Sequence, residues 1–297
     1  MIKKRITNAM TVDVEDYFQV SAFESVVSRD QWERVPHRVE KNTNRILEIF
    51  SDHDIKATFF TLGWIAERYP EMTRRIVAQG HELASHGYSH VRVTQQQPAE
   101  FREDVILTKK ILEDIAGVGV RGYRAASYSI GAKNLWALDE LNAAGYEYSS
   151  SIYPVKHDLY GMPDAPRFSF YPCGRPGILE IPITTVEVLG KKLPCGGGGF
   201  FRLYPYTVSR WALNHVNCNE GQPGMFYFHP WEIDPGQPRQ KNIPIKTRVR
   251  HYLNLSRMEN RIKALLRDFS WGRMDQVFLA DNSTIDITNK AVKASRG

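Results

Sequence analysis

Met10-Thr11-Val12-Asp13-Val14-Glu15-Asp16 is the stretch that decides how this chain is read. It begins as an apolar, β-branched run and closes with three carboxylates in four positions. Such a run suits a strand. An unpaired charge inside a strand is costly to bury, so the acids mark where the strand, Met10 to Asp13, gives way to a loop. A solvated turn would account for one acid there. Three together point to something that they bind or deprotonate.

Working outward from this strand, the pattern alternates. Arg38 to Phe50 reads as a helix with Val39, Ile46, Leu47 and Phe50 on one face. Ala57 to Leu62 is a second strand. Pro70 opens a helix that runs to Gln79 and stops at Gly80. His81 to Ser85 is a third strand. The helix from Pro98 carries the stripe Phe101, Val105, Thr108, Leu112 and Ile115 and ends at Gly117. Val118 to Arg124 is a fourth strand, Asn134 to Ala144 a helix, and Tyr146 to Ser149 a fifth strand. Tyr153 to Gly177 and Lys191 to Tyr206 read as long loops on either side of a sixth strand, Ile178 to Ile183. The run Gly196-Gly197-Gly198-Gly199 does not match a phosphate-binding loop, because no Lys-Ser/Thr follows and no helix is expected to open there. Val208 to Val216 is a helix, Met225 to Phe228 a seventh strand ending at His229, and Arg248 to Phe269 one basic helix.

Seven strands alternating with helices, with no break in composition, argue for an α/β fold built as one parallel, barrel-like sheet wrapped by helices. Residues 1–235 form this unit. Residues 236–297 are expected as a C-terminal extension packed on the barrel, polar and loose from Asp281 onward. In such barrels chemistry sits at the carboxyl ends of the strands. Asp13, Glu15, His86, Arg124 and His229 each fall at or just past such an end.

The chain has 297 residues, ample for one large core. Its net charge of +6 is compatible with an acidic or polysaccharide substrate, or with peripheral contact to anionic membrane lipid. No pattern points to nucleic acid. No run approaches the roughly 20 apolar residues of a membrane span. The first ten residues lack the apolar core of a signal peptide, so a cytoplasmic location is expected. The three cysteines, Cys173, Cys195 and Cys218, form no Cys-x-x-Cys pair, which argues against a cysteine zinc site and for a reducing compartment.

Four motifs carry chemistry. The first is the acid cluster. The second is His86-Gly87-Tyr88-Ser89-His90, in which two histidines can converge on one ion from a helical turn or a tight loop. Two imidazoles and a carboxylate suit zinc best, with cobalt, nickel or iron as other occupants. The third is Gly122-Tyr123-Arg124-Ala125-Ala126-Ser127, where an Arg at a strand end can hold a carboxylate. The fourth is Met225-Phe226-Tyr227-Phe228-His229-Pro230-Trp231, which sets a His at the end of a buried strand. Trp231 can stack on a sugar ring or simply pack.

In this order the motifs resemble the polysaccharide deacetylases of carbohydrate esterase family four, which share the nodulation-protein-B homology domain. The resemblance spans Met10 to Trp231. Gly196 through Arg202-Leu203-Tyr204-Pro205-Tyr206, with Arg250-His251-Tyr252-Leu253-Asn254, looks like the C-terminal extension of a bacterial subgroup linked to exopolysaccharide gene clusters. The resemblance implies a distorted seven-stranded, TIM-like (β/α) barrel and a metal-dependent deacetylase acting on N-acetylated sugars. It implies Asp13 as general base, His86 and His90 as metal ligands with one carboxylate, and the Ser127 N–H as an oxyanion donor. It also implies that Arg124 pairs with Asp13 to keep it ionised, and that His229 gives a proton to the departing amine.

The sequence departs from that family in three places. Adjacent Asp residues are usual at the first motif, but Val14 follows Asp13, so the ligand is Glu15 or, alternatively, Asp16. Strand alternation favours Glu15. Ala126 replaces a usual Pro. The fifth strand usually ends in an Asp that orients the catalytic His, and here only Ser149 stands there, which leaves the role to another acid such as Asp158 or leaves His229 less basic than usual. Three other readings stay open. One is an amidase on a small cyclic amide or ureide. Another is a carbohydrate-binding relative without activity. The last is a non-haem iron oxygenase, which the β/α alternation disfavours.

Overall fold

The computed structural model of the chain describes residues 5–156, 161–174 and 177–280. Ten strands occur among them: β1 (Thr7–Val14), β2 (Thr58–Thr61), β3 (Glu82–Ser85), β4 (Gly122–Tyr123), β5 (Tyr148–Ser149), β6 (Leu179–Glu180), β7 (Thr185–Val188), β8 (Lys191–Pro194), β9 (Met225–Phe228) and β10 (Ser270–Gly272). Seven of these run parallel in the order β9-β1-β2-β3-β4-β5-β6 and curl into a half-barrel with helices around it. β1 is central and buried from Asn8 to Val14. Strands covered on both faces need apolar side chains on both, and this chain supplies them.

The register aligns the carboxyl ends of the strands. Val14 pairs with Thr61, Thr61 with Ser85, Ser85 with Tyr123, Tyr123 with Ser149, and Ser149 with Glu180. The residues immediately past these ends therefore share one rim, which brings Glu15, His86 and Arg124 into a row. Among the described residues no ladder joins β6 to β9, so the barrel is not closed by hydrogen-bonded strands. The gap is spanned by the chain at Gly196 and Gly197. Gly196 N–H donates to the Thr184 carbonyl (3.0 Å), and Tyr227 N–H donates to the Gly196 carbonyl (2.8 Å).

Several elements depart from the sequence expectations. Lys191 to Tyr206 is not a loop. β7 and β8 form an antiparallel hairpin, and a helix, Gly198–Leu203, does open in the glycine run. Its glycines are selected by close approach, as shown below. The basic segment expected as one helix is two, Ile245–Tyr252 and Leu255–Asp268, broken where Asn254 takes a left-handed conformation (φ +54°). Asn tolerates that region better than most residues, and apolar periodicity does not register such a break. A short helix, Gly63–Arg68, was hidden inside the loop after β2. The C-terminal segment also contributes a strand. β10 and β9 both pair with Ala9, and β2 and β9 overlap at Thr11 and Val12. β10 therefore lies on the β2 side of β1, below the start of β2. The Met274 N–H donates to Thr58 Oγ1 (2.8 Å) and the Asp275 N–H to Glu82 Oε2 (3.1 Å), which fixes the segment under the sheet. The polar tail from Asp281 lies outside the described residues. All three cysteines are free thiols, and no helix among the described residues is long and apolar enough to cross a membrane.

Candidate metal centre and catalytic groups

The loop that carries the two histidines is tight and non-helical. Gly87 has φ +74° and His90 φ +54°. A Cβ on Gly87 would lie 3.1 Å from Asp104 Oδ2, so glycine meets both a conformational and a steric demand. Asp104 accepts the Tyr88 N–H (2.9 Å). The first N–H groups of the helix Gly63–Arg68 reach back to the loop: Gly63 to the Gly87 carbonyl (3.0 Å) and Trp64 to the Tyr88 carbonyl (3.0 Å). Arg29 holds the far end through the carbonyls of Ser89 (2.8 Å) and His90 (3.1 Å). A left-handed His costs about 1–2 kcal/mol, and these five hydrogen bonds hold it in place.

Glu15, His86 and His90 each bring one ligand atom within 4.8 Å of the others, and all three residues are buried. His86 Nδ1 lies 2.8 Å from the Arg124 carbonyl. A carbonyl only accepts, so Nδ1 carries the proton and Nε2 is left for an ion, the arrangement in which metal-binding histidines are oriented. His90 Nε2 stands 3.0 Å from Glu15 Oε2, yet that oxygen accepts no hydrogen bond of sound geometry, and His90 Nδ1 is buried without a partner. Buried polar atoms normally find partners. The orphaned Glu15 Oε2, with His90 Nε2 beside it, fits an oxygen and a nitrogen that share a cation. Burial pushes the Glu15 carboxyl up, but His90, His229 and His86 outweigh it and leave the group at about 2. Burial holds the His86 imidazole down at about 4. Both are thus in their ligating forms at neutral pH. The donor set suits a divalent metal of the zinc type.

Asp16 is placed elsewhere. Its Oδ2 accepts the N–H groups of Arg38 (2.6 Å) and Val39 (2.9 Å), and its Oδ1 accepts that of Tyr17 (2.8 Å). It caps the helix Val39–Asp52 in the manner of an acid at a helix N-terminus. Of the two carboxylates left open by the sequence, Glu15 is the one that faces the histidines.

Beneath the cluster, Arg124 is fully buried. Its Nη1 donates to Asp13 Oδ1 and to Thr11 Oγ1 (2.9 Å), and its Nε donates to the Ser150 carbonyl (3.3 Å). The guanidinium lies 3.9 Å from the centre of the Phe60 ring. Asp13 Oδ2 accepts the Tyr128 hydroxyl (3.4 Å). Asp13 is thereby held by a charged partner on one oxygen while the other lies toward Tyr128 and His229.

His229 closes the site from β9. Its Nε2 is 3.4 Å from Glu15 Oε1 and 3.9 Å from Asp13 Oδ2, and its side chain keeps 19% of its surface, against 2% for both acids. The opening therefore lies at His229. Burial lowers its basicity, but Glu15, Glu232 and Asp13 together raise it to about 9. Glu232 is the acid that the sequence reading missed: its Oε1 stands 2.7 Å from His229 Nδ1. Ser149 instead bonds to Ser151 (2.8 Å), and Asp158 lies outside the described residues. The spacing His229-x-x-Glu232 on one turn was the available signal.

Trp231 does not present a face to a sugar. It is buried, stacked between His229 (5.1 Å, 17°) and His251 (4.1 Å, 11°), and its Nε1 donates to Glu15 Oε1 (3.3 Å). It packs, and it aims Glu15. Ser127 is half-buried at φ +52°, its hydroxyl 2.8 Å from that of Ser21. A non-glycine residue in this region stores about 1–3 kcal/mol and is commonest at functional sites.

Residues 30–149 match the family described as polysaccharide deacetylase, and residues 150–279 match a domain of unknown function, DUF3473. The chain is 35% identical over 99 residues to a peptidoglycan-N-acetylglucosamine deacetylase of Bacillus cereus, a stretch covering 33% of this chain and 36% of that protein. It is 30% identical over 95 residues to a chitooligosaccharide deacetylase of a Bradyrhizobium species, covering 32% and 43% respectively. The chain thus spans less than half the length of these relatives. A crystal structure of an allantoinase superposes with a TM-score of 0.61 at 16% identity, over 96% of this chain and 93% of that one, which shows a shared fold.

Proposed function

We propose that this chain, a member of the polysaccharide deacetylase family through residues 30–149, removes acetyl groups from the N-acetylated sugars of a polysaccharide with the help of a divalent ion held by Glu15, His86 and His90. One observation carries the reading: an Arg-paired carboxylate and a basic histidine flank the same buried three-ligand cluster. A zinc-like ion there would lower the pKa of a water and polarise the acetamide carbonyl. Asp13 takes the proton of the attacking water, with Arg124 holding its carboxylate in place. The Ser127 N–H donates to the oxygen on which charge develops. The C–N bond then breaks, and His229 gives its Nε2 proton to the leaving amine. Acetate and the free amino sugar are the products.

Two finer points belong to the same proposal. The polymer is an exopolysaccharide under synthesis or modification, a reading supported by the resemblance of the C-terminal region to that subgroup. The compartment is reducing, the cytoplasm, which three free thiols suit. The test is an acetate-release screen of zinc-loaded protein against N-acetylglucosamine oligomers, peptidoglycan fragments and acetylated exopolysaccharide, with allantoin as the cyclic ureide. Acetate from an N-acetylated polymer, lost in Asp13→Asn, is the expected result. Ring opening of the ureide with no acetate from any polymer would replace the proposal with the amidase reading.

A further inference from the structure

His229 is held on two sides. Trp231 stacks on its ring face, and Glu232 Oε1 receives its Nδ1. The second oxygen of Glu232 is itself held, because Oε2 accepts Arg202 Nε at 2.7 Å. The remaining guanidinium donors reach the carbonyls of Arg250 (3.1 Å), His251 (3.0 Å) and Leu253 (2.7 Å). Both residues are buried, at 2% and 1% exposure. Four of the five guanidinium N–H groups and both Glu232 oxygens are therefore engaged by other groups of the protein.

The glycine run fits the same arrangement. A Cβ on Gly198 would stand 2.3 Å from Glu232 Oε1 and 2.4 Å from Oε2, and one on Gly197 would meet the Tyr227 ring at 2.5 Å. Only glycine lets this backbone lie against the carboxylate. Gly198, Arg202, Glu232 and the carbonyls at 250–253 all belong to the segment that matches a domain of unknown function.

We infer that Glu232 and Arg202 are positioning residues for His229, and that the segment 150–279 serves the active site by clamping the catalytic histidine through them. The inference rests on the deacetylase reading above. Glu232 fixes which ring nitrogen faces the substrate. Arg202 fixes Glu232 and ties it to the end of the helix Ile245–Tyr252, so the fold of that region is felt at Nε2. A carboxylate from the histidine's own turn thus does the orienting that β5, ending in Ser149, does not.

The experiment uses full-length, zinc-loaded protein with the substitutions Glu232→Gln, Arg202→Met and the two combined. Outer partners of this kind are worth about 10- to 100-fold in activity. Each single change is expected to lower kcat by that factor with KM within about twofold, and the double change to cost no more than either alone, as residues acting as one unit do. The double change strands neither charge and carries the test if a single one unfolds. A second readout is independent of activity. In metal-free protein the His229 Nδ1–H proton should give a downfield resonance that both variants lose. Unchanged kcat together with an unchanged resonance would overturn the inference. If the wild-type protein releases no acetate while the resonance behaves as described, the deacetylase reading fails and the clamp stands.

Discussion

The division of labour between Glu15 and Asp16 can be tested by exchanging each for its amide. Glu15→Gln and Asp16→Asn remove the same charge from neighbouring buried positions, so a general electrostatic effect is common to both. Asp16 accepts three backbone N–H groups, two of them at the start of the helix Val39–Asp52. An amide keeps one acceptor and turns an NH2 toward the rest. Hydrogen bonds to a charged group are worth about 1.5–3 kcal/mol each and a cap typically about 1 kcal/mol, so a loss of roughly 2 kcal/mol is expected. For a chain of this size that lowers Tm by about 3 °C. The metal site is untouched, and Asp16→Asn should bind about one zinc per chain, as a single site implies. Glu15→Gln removes the carboxylate proposed as the anionic ligand. Outer partners alone are worth about 10- to 100-fold in affinity, so loss of the ligand should exceed about 100-fold. Metal content after dialysis against zinc and melting in chelator read the two effects separately. Zinc lost in Asp16→Asn and retained in Glu15→Gln would refute the assignment.

Three further outcomes follow from the same geometry. Arg124→Met leaves Asp13 buried without its cation, and breaking such a pair costs about 3–5 kcal/mol; a melt of the metal-free protein should show it, and an unchanged Tm would speak against the pairing. His229 has its pKa raised from 6.5 to about 9, so its contribution to stability is fully present below about pH 6.5 and is lost as pH rises through about 9. That contribution is roughly 3 kcal/mol, and the Tm gap between wild type and His229→Asn should narrow over this window, whereas a gap constant with pH would contradict it. Gly87→Ala forces a Cβ into a left-handed residue 3.1 Å from Asp104; a loss of about 1–2 kcal/mol and weaker zinc binding are expected, and isothermal titration that finds wild-type affinity would oppose the role given to the loop.

Much of this site was legible in the chain because its groups sit at strand ends. Asp13 and His229 follow β-branched or aromatic runs, His86 and Arg124 directly follow the short strands β3 and β4, and parallel register carries strand ends to one rim. Met225 to Phe228 was read to the residue. What escaped was set by long-range contact. The glycine run is explained by side chains more than 25 positions away, Tyr227 and Glu232. The break at Asn254 is a backbone choice that leaves the apolar stripe intact. β10 has three residues, and its place beside β1 depends on Thr58 and Glu82 receiving Met274 and Asp275. Trp231 next to His229 suggested a sugar platform, but His251, twenty residues on, covers its other face.

The most direct test is to measure bound zinc and acetate release side by side for the wild-type protein and His86→Ala. The account predicts about one zinc per chain and acetate from an N-acetylated sugar oligomer in the wild type, and neither in the variant. Zinc retained in His86→Ala together with full acetate release would contradict it.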